Sequence, residues 1–246
     1  MYHIVIPARY GSTRLSAKVL ADINGKPLVY WVWRQAMQSR AMSVTVATDD
    51  ARIHEAMTLH GAEVVMTDVN HPSGTDRLAE VARLKGWDSS AIVVNLQGDE
   101  PLMPVSNLEQ VAGLLSAHPE ASIATLCEPI DTADAFHDPS VVKVVFDVSG
   151  RAHFFSRAPI PHVRGADKAF VPPEARRHVG LYAYRVSFLA DFASQPVAPL
   201  EKLESLEQLR ALHFGHEIRI ADAKEPVPAG VDTQKDLDAV RRLMAT

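Results

Sequence analysis

A single cysteine, Cys127, stands in a chain of 246 residues, so no disulfide framework inside it can hold the fold, and a reducing compartment is the expected setting. No apolar run approaches the ~18 residues that a membrane helix needs. The first residues enter a strand pattern at once instead of a charged and then apolar leader, so a cytoplasmic protein with no membrane partner is expected. Positive charge is scarce as well: Lys and Arg number 25 against 30 Asp and Glu, a net charge of -5. A general nucleic-acid partner is therefore not expected, because a polyanion would meet long-range repulsion. Two familiar phosphate signatures are missing. The loop after the first strand is not a Gly-x-Gly-x-x-Gly, and Lys18 lacks the preceding Gly and the following Ser or Thr of a Walker A loop.

What the chain does have near its start is an apolar run, Ile4-Val5-Ile6, that turns at once into a basic loop. The run reads as a buried strand. Arg9, Arg14 and Lys18 offer two guanidinium forks and a point charge to the oxygens of a polyphosphate, while small residues let backbone N–H groups come close. The plain alternative is a solvated basic connection after a strand.

Strands and helices then alternate. A helix led by Pro27 carries Leu28, Trp31, Val32 and Ala36 on one face. Val44 to Thr48 is a second strand, and Thr48 or Asp49 caps a helix bearing Ile53, Ala56, Met57 and His60 that ends at Gly61. Val64 to Met66 is a third strand, followed by a helix with Leu78, Val81 and Ala82. Ala91 to Leu96 is the fourth and most apolar, hence central. Such an order predicts an α/β fold with a mostly parallel Rossmann-like sheet covered on both faces. Beyond it, Val141–Phe146 and Ala152–Phe155 flank Ser149-Gly150 as a hairpin, Gly180–Tyr184 is another strand, and residues 159–173 form a Pro-rich loop. We read residues 141–184 as an antiparallel insertion over the sheet within one domain of residues 1–246. Leu203, Leu206, Leu209 and Leu212 read as the core stripe of one helical segment, before Ile218–Ile220 and a terminal helix with Leu237, Val240 and Leu243.

In open parallel sheets, ligands bind beyond the carboxyl ends of the strands. The loops after strands one, three and four should therefore share a cleft, and they are the chemically rich ones: the basic loop, His71-Pro72-Ser73-Gly74-Thr75-Asp76-Arg77, and Gln97-Gly98-Asp99-Glu100-Pro101. A carboxylate facing three cations and a polyphosphate suits magnesium, although Asp99 could equally be a turn residue. Asp49 and Asp50 read as cap and first-turn charges.

These residues carry a resemblance. Ile6-Pro7-Ala8-Arg9-Tyr10, Ser12-Thr13-Arg14-Leu15, Asn24-Gly25-Lys26-Pro27, Ser73 to Arg77, Asn95 to Pro101, Arg177 to Tyr182, Leu206 to Arg210 and Gly230-Val231-Asp232-Thr233 occur in order. Together they resemble the 3-deoxy-manno-octulosonate (Kdo) cytidylyltransferases over essentially the whole chain. The resemblance implies a nucleotidyltransferase fold, usually a homodimer, that joins CTP to Kdo or a close acid sugar, giving CMP-sugar and pyrophosphate for lipopolysaccharide synthesis. It implies that Arg9, Arg14 and Lys18 hold the triphosphate, with Ser12, Gly74 and Gln97 beside the nucleotide, and that Ser73 and the backbone at Pro7 and Ala8 read cytosine. It implies magnesium on Asp99 and Asp232, and a sugar pocket of Gln97, His178, Tyr182, Glu207 and Gln208. By themselves, His178 reads as a structural histidine and Asp232 as a helix cap.

The chain departs from the resemblance in two places. Ser16-Ala17-Lys18-Val19-Leu20 replaces a usual Pro-Gly-Lys-Pro-Leu, which removes rigidity and a permissive backbone position. The loop at Pro161-His162-Val163-Arg164 lacks a Trp and is shortened, leaving room for an altered sugar such as 8-amino-Kdo. A synthetase of the CMP-sialic-acid type, a metal-dependent glycosyltransferase and a non-catalytic CTP sensor are the alternatives.

Overall fold

The structure, a computed structural model, describes residues 1–246 apart from 12–14, 16, 72 and 245–246. It opens with β1 (Tyr2–Ala8), a 3-10 turn at Lys18–Leu20, the short β2 (Asp22–Ile23) and β3 (Lys26–Pro27), and α1 (Leu28–Ala36). Next come β4 (Ser43–Thr48), α2 (Ala51–Thr58), β5 (Glu63–Met66), α3 (Gly74–Lys85), β6 (Ile92–Asn95) and α4 (Val105–Ala117). They are followed by β7 (Ile123–Pro129), α5 (Ala133–His137), β8 (Lys143–Phe146), β9 (Ala152–Ser156) and β10 (Arg176–Arg185). The chain closes with α6 (Val186–Ser194), α7 (Pro199–Glu204), α8 (Gln208–His213), β11 (Ile218–Asp222) and α9 (Gln234–Met244).

The central sheet runs β11-β7-β10-β6-β1-β4-β5. β1 pairs in parallel with β4 and β6, and β4 with β5, as the alternating pattern predicts, and β6 lies at the middle of the order. Alternation along β1 sends Ile4, Ile6 and Ala8 into one layer with Val29 and Val32 of α1 and Leu108 and Val111 of α4. It sends Val5 into the other layer with Leu78 and Val81 of α3 and Phe188 and Leu189 of α6. Both faces are thus covered, and each buried aliphatic side chain contributes about 1.5–3 kcal/mol relative to exposure. Among the described residues no helix is long and apolar enough to cross a membrane.

Several local expectations are corrected. Asp50, not Thr48 or Asp49, caps α2 by accepting from the Arg52 backbone N–H, and Pro27 is the N-cap of α1, one residue ahead of its first turn. The strand around Gly180–Tyr184 is not part of a layer over the sheet. As β10 it sits in the sheet between β6 and β7, antiparallel to both, because its alternate residues Leu181 and Ala183 are fully buried on one face and Tyr184 on the other. Within this sheet, among the described residues, the β8–β9 hairpin alone leaves the main path, joined through Lys143 opposite Arg177, and β2 and β3 pair separately. Phe155 of that hairpin is fully buried within this chain, edge-on to His178 at 5.0 Å, so it needs no cover from elsewhere. The leucine stripe is not one helix. Ser205, at φ 51, ends α7 in a left-handed conformation, Leu206 and Leu209 are buried, and Leu203 is 81% exposed. The elements α4, β7, α5 and α6 have no counterpart in the pattern read from the sequence.

The carboxyl end of the sheet depends on one close approach. A Cβ on Gly98, just beyond β6, would lie 2.8 Å from the Pro7 carbonyl oxygen and 3.6 Å from the Ala8 Cα. Backbone on both sides leaves little room for relief, so Gly98→Ala is expected to cost about 1–3 kcal/mol, seen as a lower urea midpoint. A midpoint equal to the parent's would show that the two strand ends do not lie this close.

Candidate active site

The three loops predicted to share a cleft do meet. Arg9, leaving β1, donates from Nη2 to the His71 carbonyl of the loop after β5 at 3.2 Å, and His71 Nε2 lies 2.6 Å from Glu80 Oε2 on α3. Tyr10 lies under the Arg52 guanidinium at 3.3 Å from its ring centre, and Asp50 holds that guanidinium through both carboxylate oxygens. The exit from β1 is therefore clamped to two neighbouring elements. Ser12 and Arg14 lie outside the described residues.

The loop resumes at Ala17, whose φ of 54 and ψ of 27 are left-handed. A Gly stands at this place in the resemblance pattern. The conformation persists with Ala at a cost of about 1–2 kcal/mol, while Val19, replacing a Pro, is buried in the core layer beneath α1 and α4. Lys18 leads a 3-10 turn and is 9% exposed.

Lys18 Nζ donates to Asp99 Oδ2 at 2.5 Å and to Asp232 Oδ1 at 2.9 Å. Burial alone would lower its pKa, but hydrogen bonding and charge from Asp99, then from Asp232, outweigh that and hold it above the ordinary lysine value. Asp232 arrives because the Val231 N–H donates to the Asp99 carbonyl at 2.9 Å and Gly230 lies against the same turn. Val231 is buried with Ile23, Leu28, Leu237 and Val240, which docks the start of α9 beside α1. The cap reading of Asp232 is corrected: Thr233 and Asp236 exchange side-chain and backbone hydrogen bonds at the head of α9, and Asp232 turns to Lys18.

Two carboxylates near enough to share one ammonium are near enough to share one ion. Their hard oxygens suit magnesium, which takes one or two protein carboxylates and completes its shell with phosphate oxygens and water. Among the described residues no three His, Cys, Asp or Glu side chains group as a metal cage, so an ion here would need substrate oxygens. The sequence reading passed over Glu100, although it adjoins Asp99. Burial first, then the Asp99 and Asp232 charges, push its carboxyl up to about 8, and its Oε2 has no hydrogen-bond partner. Asp49 and Asp50 take no part in the site: Asp50 caps α2, and Asp49 Oδ2 pairs with Nη2 of the fully buried Arg77 at 2.6 Å.

On the nucleotide side, Pro7 and Ala8 end β1 and Gly74 approaches the Pro7 ring, a Cβ there lying 3.8 Å from Pro7 Cγ. Ser73 has a local task the sequence did not reveal. It caps α3, donating to Asp76 Oδ2 at 2.6 Å and accepting from the Asp76 N–H at 3.2 Å. Gln97 shapes the turn that delivers Asp99, its carbonyl accepting from the Glu100 N–H.

The residues expected around a sugar gather on β10 and its neighbours. The register of β10 against β7 shifts between Val179 and Tyr182, a bulge that re-aims side chains. Glu207 accepts from the Thr75 hydroxyl at 2.7 Å. Tyr182, Tyr184, Glu207, Gln208 and Thr75 line a cavity of about 50 Å³, where Gln208 Nε2 is buried without a partner. His178 and Tyr182 are 5.2 Å apart ring to ring. The Thr125 hydroxyl donates to the Leu181 carbonyl at 2.8 Å and so accepts from His178 Nε2 at 2.9 Å, an assignment of the proton made from the network. Burial pushes the His178 imidazole down to about 3.

The cytidylyltransferase family model matches residues 3–218. This chain belongs to the cytidylyltransferase family. A 3-deoxy-manno-octulosonate cytidylyltransferase of Pseudomonas syringae pv. tomato is 54% identical over 248 residues, covering 99% of this chain and 98% of that one. The enzyme of the same name from Cellvibrio japonicus is 51% identical, with 99% and 98% covered. A solved CMP:2-keto-3-deoxy-manno-octonic acid synthetase, in complex with CTP, superposes with a TM-score of 0.91 at 42% identity, covering 100% of this chain and 99% of that one. A Leptospira borgpetersenii cytidylyltransferase, at 17% identity and a TM-score of 0.66 over 99% of this chain and 86% of that one, shares the fold. The resemblance read from the motifs is thus shown along the whole cytidylyltransferase chain.

The histidine in this cytidylyltransferase site yields a pH test. Its folded pKa of about 3 lies below the ordinary 6.5, so the unfolded chain takes up a proton that the folded one refuses. The His178 contribution to stability is whole above about pH 6.5 and is lost as pH falls toward 3. In an NMR titration of the folded protein the His178 ring should stay neutral at pH 5, and His178→Gln should flatten the acid limb of stability against pH. A ring that titrates near 6.5 would contradict the burial described.

Proposed function

We propose that this cytidylyltransferase activates 3-deoxy-manno-octulosonate, or a close acid sugar, by transferring CMP from CTP with release of pyrophosphate. The observation that carries the reading is the meeting of Lys18, Asp99 and Asp232 at the carboxyl end of the sheet, in a chain that superposes at a TM-score of 0.91 on a synthetase in complex with CTP. The reaction is an in-line displacement. The sugar's anomeric oxygen forms a bond to the α-phosphorus, the bond to the β-phosphate oxygen breaks, and pyrophosphate leaves. Such a transfer needs positioning and charge neutralisation more than covalent help.

Arg9, Arg14 and Lys18 hold the triphosphate, while Pro7, Ala8, Ser12, Ser73 and Gly74 meet the nucleoside. Asp99 and Asp232 hold magnesium, which when bound neutralises phosphate charge and lowers the pKa of the attacking hydroxyl. Gln97, His178, Tyr182, Glu207 and Gln208 enclose the sugar. His178 does so as a neutral hydrogen-bonding group, since its burial disfavours the cation. The CMP-sugar would supply lipopolysaccharide synthesis from the cytoplasm.

Pyrophosphate release measured across the four nucleotides and several acid sugars tests the reading. CTP with Kdo or its 8-amino relative should give the highest rate, and UTP matching CTP, or no turnover with any acid sugar, would overturn it. Asp99→Asn and Asp232→Asn should each lower turnover by about a hundredfold or more. The double variant should lose little beyond the worse single one, because both act through one ion.

We also propose a homodimer formed through residues 141–184. Half-buried Phe146 and Phe154 and fully exposed Val148 on the hairpin support it, as does an adjoining groove lined by Val144, Val145, Phe146, Pro161 and Pro173. Light scattering should give twice the 26.9 kDa chain mass; a single chain mass at working concentration refutes the pairing.

A further inference from the structure

Lys18 is assigned to the triphosphate, and the same ammonium is in reach of the two carboxylates assigned to the metal. Its ammonium sits between the two carboxylates, 2.5 Å from Asp99 Oδ2 and 2.9 Å from Asp232 Oδ1. Its side chain is 11% exposed, against 27% for Asp99 and 41% for Asp232, so the cation fills the inner side of the pair and is not a passing surface contact. A magnesium ion held by the same oxygens would lie about 2.0–2.1 Å from each. That is the space the ammonium occupies, and like charges at such range repel strongly.

We propose that Lys18 is an internal counter-ion that keeps the divalent cation out of the free enzyme and surrenders the carboxylates only when a triphosphate draws it away. The inference rests on the reading of Asp99 and Asp232 as the ion's ligands. Ion and nucleotide then load together. Lys18 faces two carboxylates, and the arriving triphosphate offers it a larger negative charge. Differential contact with the two states is what such a shift requires.

The test is Mn2+ binding to the nucleotide-free protein, followed by the electron paramagnetic resonance signal of free Mn2+. Lys18→Gln removes the internal cation and should tighten Mn2+ binding by roughly tenfold or more over wild type, whereas Lys18→Arg should keep the ion out. Adding Asp99→Asn to Lys18→Gln should abolish the gain. Wild type that binds Mn2+ as tightly as Lys18→Gln, or a gain that survives Asp99→Asn, overturns the proposal. If Lys18→Gln fails to fold, wild type decides by comparison with Asp99→Asn. A non-hydrolysable CTP analogue should then raise Mn2+ binding more in wild type than in that variant, and Mn2+ bound at the pair before the analogue is added overturns the gate. Equal binding by wild type and Asp99→Asn in the analogue complex shows that the carboxylates hold no ion, in which case the underlying site reading fails as well.

Discussion

One ammonium group ties together parts of the chain that are far apart in sequence. Lys18 reaches Asp99, 81 residues on, and Asp232, 214 residues on, and each partner comes from a separate structural layer. Asp99 is carried by the turn beyond the middle strand of the sheet, and Asp232 by a segment whose buried Val231 packs with Ile23, Leu28, Leu237 and Val240, a cluster separate from the two that cover the sheet. The lysine end of this contact is mostly buried, and attraction alone does not account for it, because removing a charge from water is costly. It persists because the backbone around it is set independently, by the Val231 hydrogen bond to Asp99 and by the closeness of Gly98 to Pro7. The scaffold fixes the carboxylates and the lysine then satisfies them.

The same rule governs the buried polar groups outside the site. Lys143 is fully buried, and its ammonium donates to the carbonyls of Asp138, Val141 and Arg157, which anchors the base of the hairpin. Arg210 is paired with Glu201 at 2.6 Å and lies over the Phe192 ring. Arg77 pairs with Asp49 behind the site. Partners take over from water for Lys143 and Arg210, while Arg77, bonded through both Nη atoms to Thr67 and Asp49, keeps its Nε without a partner among the described residues. The unpartnered atoms are more telling: Gln208 Nε2 faces the small cavity at the expected sugar side, and Glu100 Oε2 lies beside the carboxylate pair.

The first half of the fold was legible because its strands carry the apolar runs and its helices the 3.6 period that parallel packing demands. Ile4 to Ile6, Val44 to Thr48 and Ile92 to Asn95 all lie where the pattern placed them. The second half was harder for a physical reason. β10 is an antiparallel strand embedded in a parallel sheet, and its Tyr182, Tyr184 and Gly180 give it the look of a peripheral ribbon. Leucines spaced by three suggested one helix, and only the left-handed Ser205 reveals two. In the site, Asp99 was legible from chemistry because it ends the most apolar strand, whereas Asp232 and His178 were not. Their partners, Lys18 and Thr125, are 214 and 53 residues away, and no local spacing announces such pairs. The motif resemblance implied roles for both residues but not these partners.

Asp232 is made after every strand of the sheet. β11 closes the sheet at Asp222, and the segment that brings the second carboxylate follows it. A chain cut or stalled just beyond β11 therefore has its whole sheet, its basic loop and its Asp99 turn, but half of the anionic pair and nothing to dock against Ile23 and Leu28. Such a fragment can present a cleft and cannot complete it. Order of synthesis thus sets order of assembly: the contact of one lysine with two distant carboxylates closes only in a polypeptide translated through the head of α9.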